Sequence, residues 1–151
     1  MKQKQRMKRW TVEDSADLYQ IREWGAGYFG ISKTGDVIVT PLRGRKDVCV
    51  NLPEIISGIT ARGYDMPMLL RFEDILDSQI IHIHESFRSA IEKFGYKGEF
   101  KGVYPIKVNQ QRQVVAKINE AGRPFNLGLE VGSKPELVAV LAIQDNPDAP
   151  L

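Results

Sequence analysis

The chain has 151 residues, 42% of them hydrophobic, with 21 Lys and Arg against 19 Asp and Glu for a formal charge of +2, enough to bury one ordinary core. A single cysteine, Cys49, excludes an internal disulfide and a cysteine-based metal site and fits a reducing compartment. No stretch approaches the roughly 20 apolar residues of a membrane span, and Glu13, Asp14 and Asp17 interrupt the apolar segment a signal peptide would need, so the expected location is cytoplasmic.

Residues 1–9 hold Lys2, Lys4, Arg6, Lys8 and Arg9 and no acid. They read as a disordered basic tail, because no aromatic residues interleave the charges as a nucleic-acid platform would want. Neither a nucleic-acid nor a membrane partner is expected. Thr11 with Asp14 three positions on resembles a helix start, with Leu18, Ile21 and Trp24 on its apolar side and Gly25 and Gly27 ending it. Residues 28–33 and 36–40 are β-prone runs around Thr34-Gly35-Asp36, a hairpin with a Gly turn. A second helix starts near Pro53, turns Ile55, Ile56 and Ile59 inward and ends at Gly63. Residues 66–72 form a strand-like run.

Leu76, Ile80, Ile83, Phe87, Ala90 or Ile91, and Phe94 recur at three and four residues, the stripe of a long helix ended by Gly95. A strand over 102–108, a helix over about 110–121 closed by Gly122 and a strand over 126–131 follow. Ser133-Lys134-Pro135-Glu136 then reads as a capping box that opens a helix through Val138 and Leu141. From residue 73 the order is α-β-α-β-α, which implies a parallel sheet with right-handed crossovers.

The segment Val103-Tyr104-Pro105-Ile106-Lys107-Val108-Asn109 carries the chemistry. Alternation puts Val103, Pro105, Lys107 and Asn109 on one face and Tyr104, Ile106 and Val108 toward helices. A lysine buried there would lose its proton or form a covalent bond, and its neutral amine would be a nucleophile for an aldehyde cofactor. The plainer reading is a strand-end lysine whose stem lies on the core while its head reaches water. Glu130 ends the second strand, where it is either an ordinary strand-end acid or a carboxylate that balances a cofactor's charge or hydrogen-bonds the lysine's surroundings. Asn109 either hydrogen-bonds near the site or ends the strand. His82 and His84 lie about 200° apart on a helix and so make no metal pair, and both read as surface or partly buried residues. The glycines at 25, 27 and 30 form no dinucleotide fingerprint, since no strand leads into them.

The lysine segment with Gln110 and Gln111 resembles the pyridoxal-phosphate strand of the alanine-racemase-like, fold-type III decarboxylases. Within them it is most similar to the biosynthetic arginine decarboxylases. Residues 10–16, 24–29 and 128–137 resemble stretches of the same family in the same order. The resemblance implies an α/β fold, the start of a (β/α)8 TIM-like barrel preceded by a small α+β segment. The expected divisions are 1–9 as tail, 10–72 as the segment belonging with a β-rich domain, and 73–151 as the first helix and first two βα units.

The resemblance implies Lys107 as the catalytic residue, with Lys107, Glu130 and Asn109 binding pyridoxal 5′-phosphate. Glu136 aligns with a family position near the site, although a capping role already accounts for it. The implied activity is decarboxylation of L-arginine to agmatine for polyamine synthesis by a homo-oligomer. Magnesium is a common family requirement, but no ligand set is visible. The alternatives are a fold-type III decarboxylase acting on diaminopimelate, ornithine or carboxynorspermidine, and a non-catalytic cofactor carrier. Because such a barrel takes about 250 residues, the chain is expected to be the N-terminal piece of a longer protein, inactive alone, with a bare outer edge on its second strand.

Overall fold

The computed structural model describes residues 9–42, 45 and 47–151, so the expected basic tail lies outside the described residues except for exposed Arg9. The chain divides into two compact units at Arg71 and Phe72.

In the first unit, α1 (Val12–Leu18) opens on a complete capping box. The Asp14 amide donates to Thr11 Oγ1 at 3.1 Å and the Thr11 amide donates to Asp14 Oδ2 at 2.9 Å, which satisfies two of the helix's unpaired donors. The single helix expected here is two helices: Gln20 takes a left-handed conformation with φ 51°, and α2 (Ile21–Gly25) starts anew. Ile21 is buried, while Leu18 and Trp24 face solvent, so the apolar side narrows to fewer residues than the periodicity implied.

The hairpin forms as read, with β1 (Phe29–Ile31) antiparallel to β2 (Val37–Val39). Gly35 sits in the turn at φ 97°, a conformation that costs glycine little. Around it the Asp36 carboxylate accepts from Thr34 Oγ1 at 2.8 Å and from Asn51 Nδ2 at 3.1 Å. These donors, Thr34 first, hold the carboxyl below its ordinary pKa. β3 (Val50–Asn51) adds a third antiparallel strand and runs directly into α3 (Leu52–Thr60), where Asn51 Oδ1 caps the Glu54 amide. Residues 66–72 join no strand among the described residues and do not form one. Pro67 has no N–H to give a ladder, and β propensity without a neighbouring strand does not make one.

The second unit is one α4-β4-α5-β5-α6 succession: α4 (Glu73–Phe94), β4 (Val103–Pro105), α5 (Arg112–Gly122), β5 (Gly128–Glu130) and α6 (Lys134–Leu141). β4 and β5 are parallel neighbours. Ile80 of α4, Ile106, Val115 and Ile118 of α5, Leu127, Leu129 and Val140 of α6 make the buried cluster. The apolar stripe of α4 divides along its length. Its first half packs on this cluster, and Phe94 at its end is 77% exposed, just before Gly95 closes the helix at φ 60°.

The outer edge of β5 is not bare. The Leu129 amide donates to the Pro150 carbonyl at 3.1 Å, so the last residues lie along the free side of the strand. Gly128 permits that approach, since a Cβ there would lie 2.2 Å from the Pro150 oxygen.

Candidate active site at the ends of the parallel strands

Pro105 faces Glu130 across the parallel pair, so both strands hand their next residues to the same end of the sheet. After Pro105 the backbone leaves the strand for a single 3-10 turn, Ile106–Val108. Ile106 turns inward and is 2% exposed. Lys107 therefore lies two residues past the end of β4, in the turn and not in the expected strand over 102–108. Tyr104 and Ile106 pack on the core as the alternation required, whereas Val108 is exposed, because a 3-10 turn has a period near three and ends the two-residue alternation.

The Lys107 side chain is 64% exposed, and its Nζ lies 3.7 Å from Glu130 Oε1. This distance gives an attractive ion pair outside hydrogen-bond range. The lysine is thus not the buried amine that the apolar run suggested. Its stem leaves the core and its head reaches water, with the Glu130 carboxylate alongside.

Asn109 ends the turn. Its Oδ1 accepts from the Gln111 amide at 3.0 Å, and its carbonyl accepts from Tyr104 Oη at 3.4 Å. The side chain directs the chain into α5, the kind of local backbone bond that favours Asn at such turns.

Glu136 makes contacts that sequence reasoning missed. Ser133 Oγ accepts from the Glu136 amide at 3.4 Å, which is half of the expected capping box. The returning bond goes instead to Gly132, whose amide donates to Glu136 Oε2 at 2.6 Å. Glu136 Oε1 accepts from Gln110 Nε2 at 3.1 Å. One carboxylate thereby joins the loop after β4 to the loop after β5. The N3 glutamate was legible, but a partner 26 residues away leaves no local signature.

His82 is exposed, while His84 is buried at 9% exposure, more enclosed than the sequence suggested. Its Nδ1 lies 2.8 Å from the Ile80 carbonyl and its ring stacks on Phe125 at 4.4 Å between centroids. A carbonyl only accepts, so Nδ1 carries a proton. Nε2 has no hydrogen-bond partner among the described residues. His84 borders an apolar cavity of about 470 Å³ between α4 and β4, which Val103 and Tyr104, just before the Lys107 turn, also line. The described residues contain no group of three metal-binding side chains, and no described helix is long and apolar enough to cross a membrane.

Residues 79–149 match the family model described as the pyridoxal-binding domain of pyridoxal-dependent decarboxylases. Over 143 residues, 95% of the chain, it is 50% identical to the biosynthetic arginine decarboxylase of Gloeobacter violaceus. It is 49% identical over the same share to that of Bacteroides thetaiotaomicron. In each case it spans 22% of the relative's length. The crystal structure of the biosynthetic arginine decarboxylase SpeA from Campylobacter jejuni superposes with a TM-score of 0.77 at 35% identity, covering 86% of this chain and 21% of that one.

The residues present fit a carbonyl cofactor. Lys107 offers a primary amine open to solvent at the end of two parallel strands, and Glu130 places a proton acceptor beside it. In sequence over 95% of its length and in fold, the chain is similar to biosynthetic arginine decarboxylases, and within it residues 79–149 match the pyridoxal-binding domain of the pyridoxal-dependent decarboxylases.

Proposed function

We propose that the full-length protein decarboxylates L-arginine to agmatine, with Lys107 holding pyridoxal 5′-phosphate. The observation that carries this reading is the ion pair of Lys107 and Glu130 at 3.7 Å, at one end of the parallel strands, in a chain so similar to arginine decarboxylases. When bound, the cofactor supplies an aldehyde for the lysine amine and a ring that takes up the electron pair left when CO2 departs.

Glu130 attracts the Lys107 ammonium to the strand end and keeps a carboxylate beside the amine, whose neutral form is the nucleophile. The exposed position of Lys107 leaves its Nζ free to swing between cofactor and substrate. Ile106, fixed in the core on one side of it, limits that motion to the side chain. Asn109 holds the turn closed behind the lysine and would border the cofactor there. In the overall change, the carboxyl carbon leaves as CO2 and a proton takes its place on Cα.

The remaining length of the relatives, about four-fifths by the 22% coverage, is assigned the phosphate site, the partner of the ring nitrogen and the guanidinium-binding acids. The first unit is assigned to a β-rich domain completed there. The product suits polyamine synthesis, and a cytoplasmic homo-oligomer is the expected assembly.

The test is decarboxylation by the purified full-length protein across arginine, ornithine, diaminopimelate and carboxynorspermidine. Arginine should be preferred by at least about 100-fold in kcat/KM, since the other substrates leave buried guanidinium-binding groups unpaired. Preference for another substrate overturns the arginine reading. Lys107→Arg should abolish cofactor absorbance and nearly all turnover, because a guanidinium stays protonated and cannot attack an aldehyde. An arginine variant with normal spectrum and rate would assign the cofactor to another lysine.

A further inference from the structure

The two loops that carry the site are held together by one side chain that the lysine chemistry does not use. Lys107 and Glu130 stand at the feet of loops 109–111 and 131–133. Their own contact, at 3.7 Å between exposed groups, is too weak to fix the gap between those loops, since such pairs contribute little. Glu136 crosses the gap. Its Oε2 accepts from the Gly132 amide at 2.6 Å and its Oε1 from Gln110 Nε2 at 3.1 Å. Both bonds end on a charged carboxylate, which strengthens them over neutral ones, and although both lie at the surface, the Gly132 bond is short and the Gln110 bond of ordinary length.

Glu136 is anchored as the third residue of α6 behind Ser133 and Pro135, so its carboxylate is held by a helix and not by a mobile stem. Gln110 lies three residues after Lys107, on the short link between the lysine turn and α5.

Resting on the proposed function, we infer that Glu136 is a positioning residue for Lys107: by bonding Gly132 and Gln110 together, its carboxylate sets the distance at which Lys107 meets Glu130. The chemistry of the pair makes this separable from a direct role of the Glu136 charge. Gln110→Glu sets two carboxylates face to face and opens the staple. Adding Glu136→Gln to that variant restores it in reverse, because the introduced side-chain carbonyl accepts from Gly132 while its NH2 group donates to the new carboxylate. Glu136→Gln alone keeps both bonds if the Gln110 amide turns over, since its oxygen then accepts; only the charge assistance is lost.

The experiment is this four-membered set in the full-length protein, with two readouts. Amide exchange of residues 107–112 and 130–134 in the cofactor-free protein reads the staple itself. Affinity for pyridoxal 5′-phosphate, with the pH dependence of its visible absorbance, reads the placement of Lys107. Gln110→Glu is expected to speed exchange in both loops together and weaken cofactor affinity by about 10-fold, the scale of one lost charge-assisted bond. The double variant should return to within about threefold of the parent, and Glu136→Gln alone should lose about threefold or less.

Glu136→Gln as damaging as Gln110→Glu, with no recovery in the double variant, would overturn the staple and give Glu136 a direct contact with the cofactor. Unchanged exchange in Gln110→Glu would overturn it as well. A parent protein that binds no pyridoxal 5′-phosphate would instead defeat the proposed function, while the exchange data still decide whether the two loops are joined.

Discussion

Leu129 shows how narrow the tolerance is beneath the site. It is fully buried in the centre of β5, one residue before Glu130, opposite Tyr104 in the parallel register. Leu129→Ala removes three buried carbons and leaves a cavity that rigid strands and helices on both sides cannot fill. We expect a loss of about 2–5 kcal/mol in stability, measured by urea unfolding of the full-length protein. A loss below about 1 kcal/mol would mean that the layer repacks around the gap. Lys107, exposed and two residues past the strand, should behave oppositely. Lys107→Ala should cost the fold less than about 0.5 kcal/mol while removing function.

Among the elements, α4 and α5 are tied by Lys117, whose Nζ lies 3.1 Å from Asp77 Oδ2 with its side chain only 19% exposed. The Asp77 bond, as the largest cause, raises the Lys117 pKa above its ordinary value. A folded-state value above the unfolded one favours folding fully below the ordinary lysine range. That contribution fades as pH rises through the raised value. Melting followed from about pH 9 to about pH 12 should fall more steeply for the parent than for Lys117→Met. At neutral pH the same variant should lose about 1–3 kcal/mol, because Asp77 Oδ1 is already buried with no hydrogen-bond partner among the described residues and the carboxylate would then lose its lysine as well. Parallel alkaline curves would show that the Lys117–Asp77 pair adds nothing to stability in that range. At the edge of β5, Gly128→Ala should displace residues 148–151, since no rotamer relieves a Cβ set against the Pro150 carbonyl. Faster amide exchange at Leu129 is the expected sign.

Elements defined by local rules were legible in the sequence. The Thr11–Asp14 box, the Gly35 hairpin and the stripe of α4 closed by Gly95 each rest on neighbours within a turn or two. Residues 66–72 misled because strand propensity says nothing about whether a partner strand exists. The lysine run misled for a related reason. Its apolar residues read as one strand, yet Pro105 lacks a ladder donor and the 3-10 turn after it ends the alternation. Ile106 still packs on the core, while Val108, expected toward the helices, faces solvent beside Lys107. The identities of the site residues were visible in the motif, but their geometry depended on where the strand stopped, and the Gln110–Glu136 bond depended on a tertiary approach with no local trace.

At the scale of the molecule, two parallel strands cannot close a barrel, and the chain spans 22% of the length of its relatives. Val103 at the free side of β4 is half exposed, and α6 turns Val138 and Leu141 to solvent. Apolar surface of this kind calls for further partners, so residues 1–151 by themselves are expected to associate and to release no CO2 from arginine above a free-cofactor control. Everything proposed for the site depends on Lys107 bearing the cofactor. The decisive measurement is to treat the full-length protein with pyridoxal 5′-phosphate, fix the carbon–nitrogen bond with borohydride, and locate the modified lysine by peptide mass spectrometry. A single phosphopyridoxyl label on Lys107, lost in Lys107→Ala, is the expected result. A stoichiometric label on any other lysine, with Lys107 unmodified, would contradict the assignment.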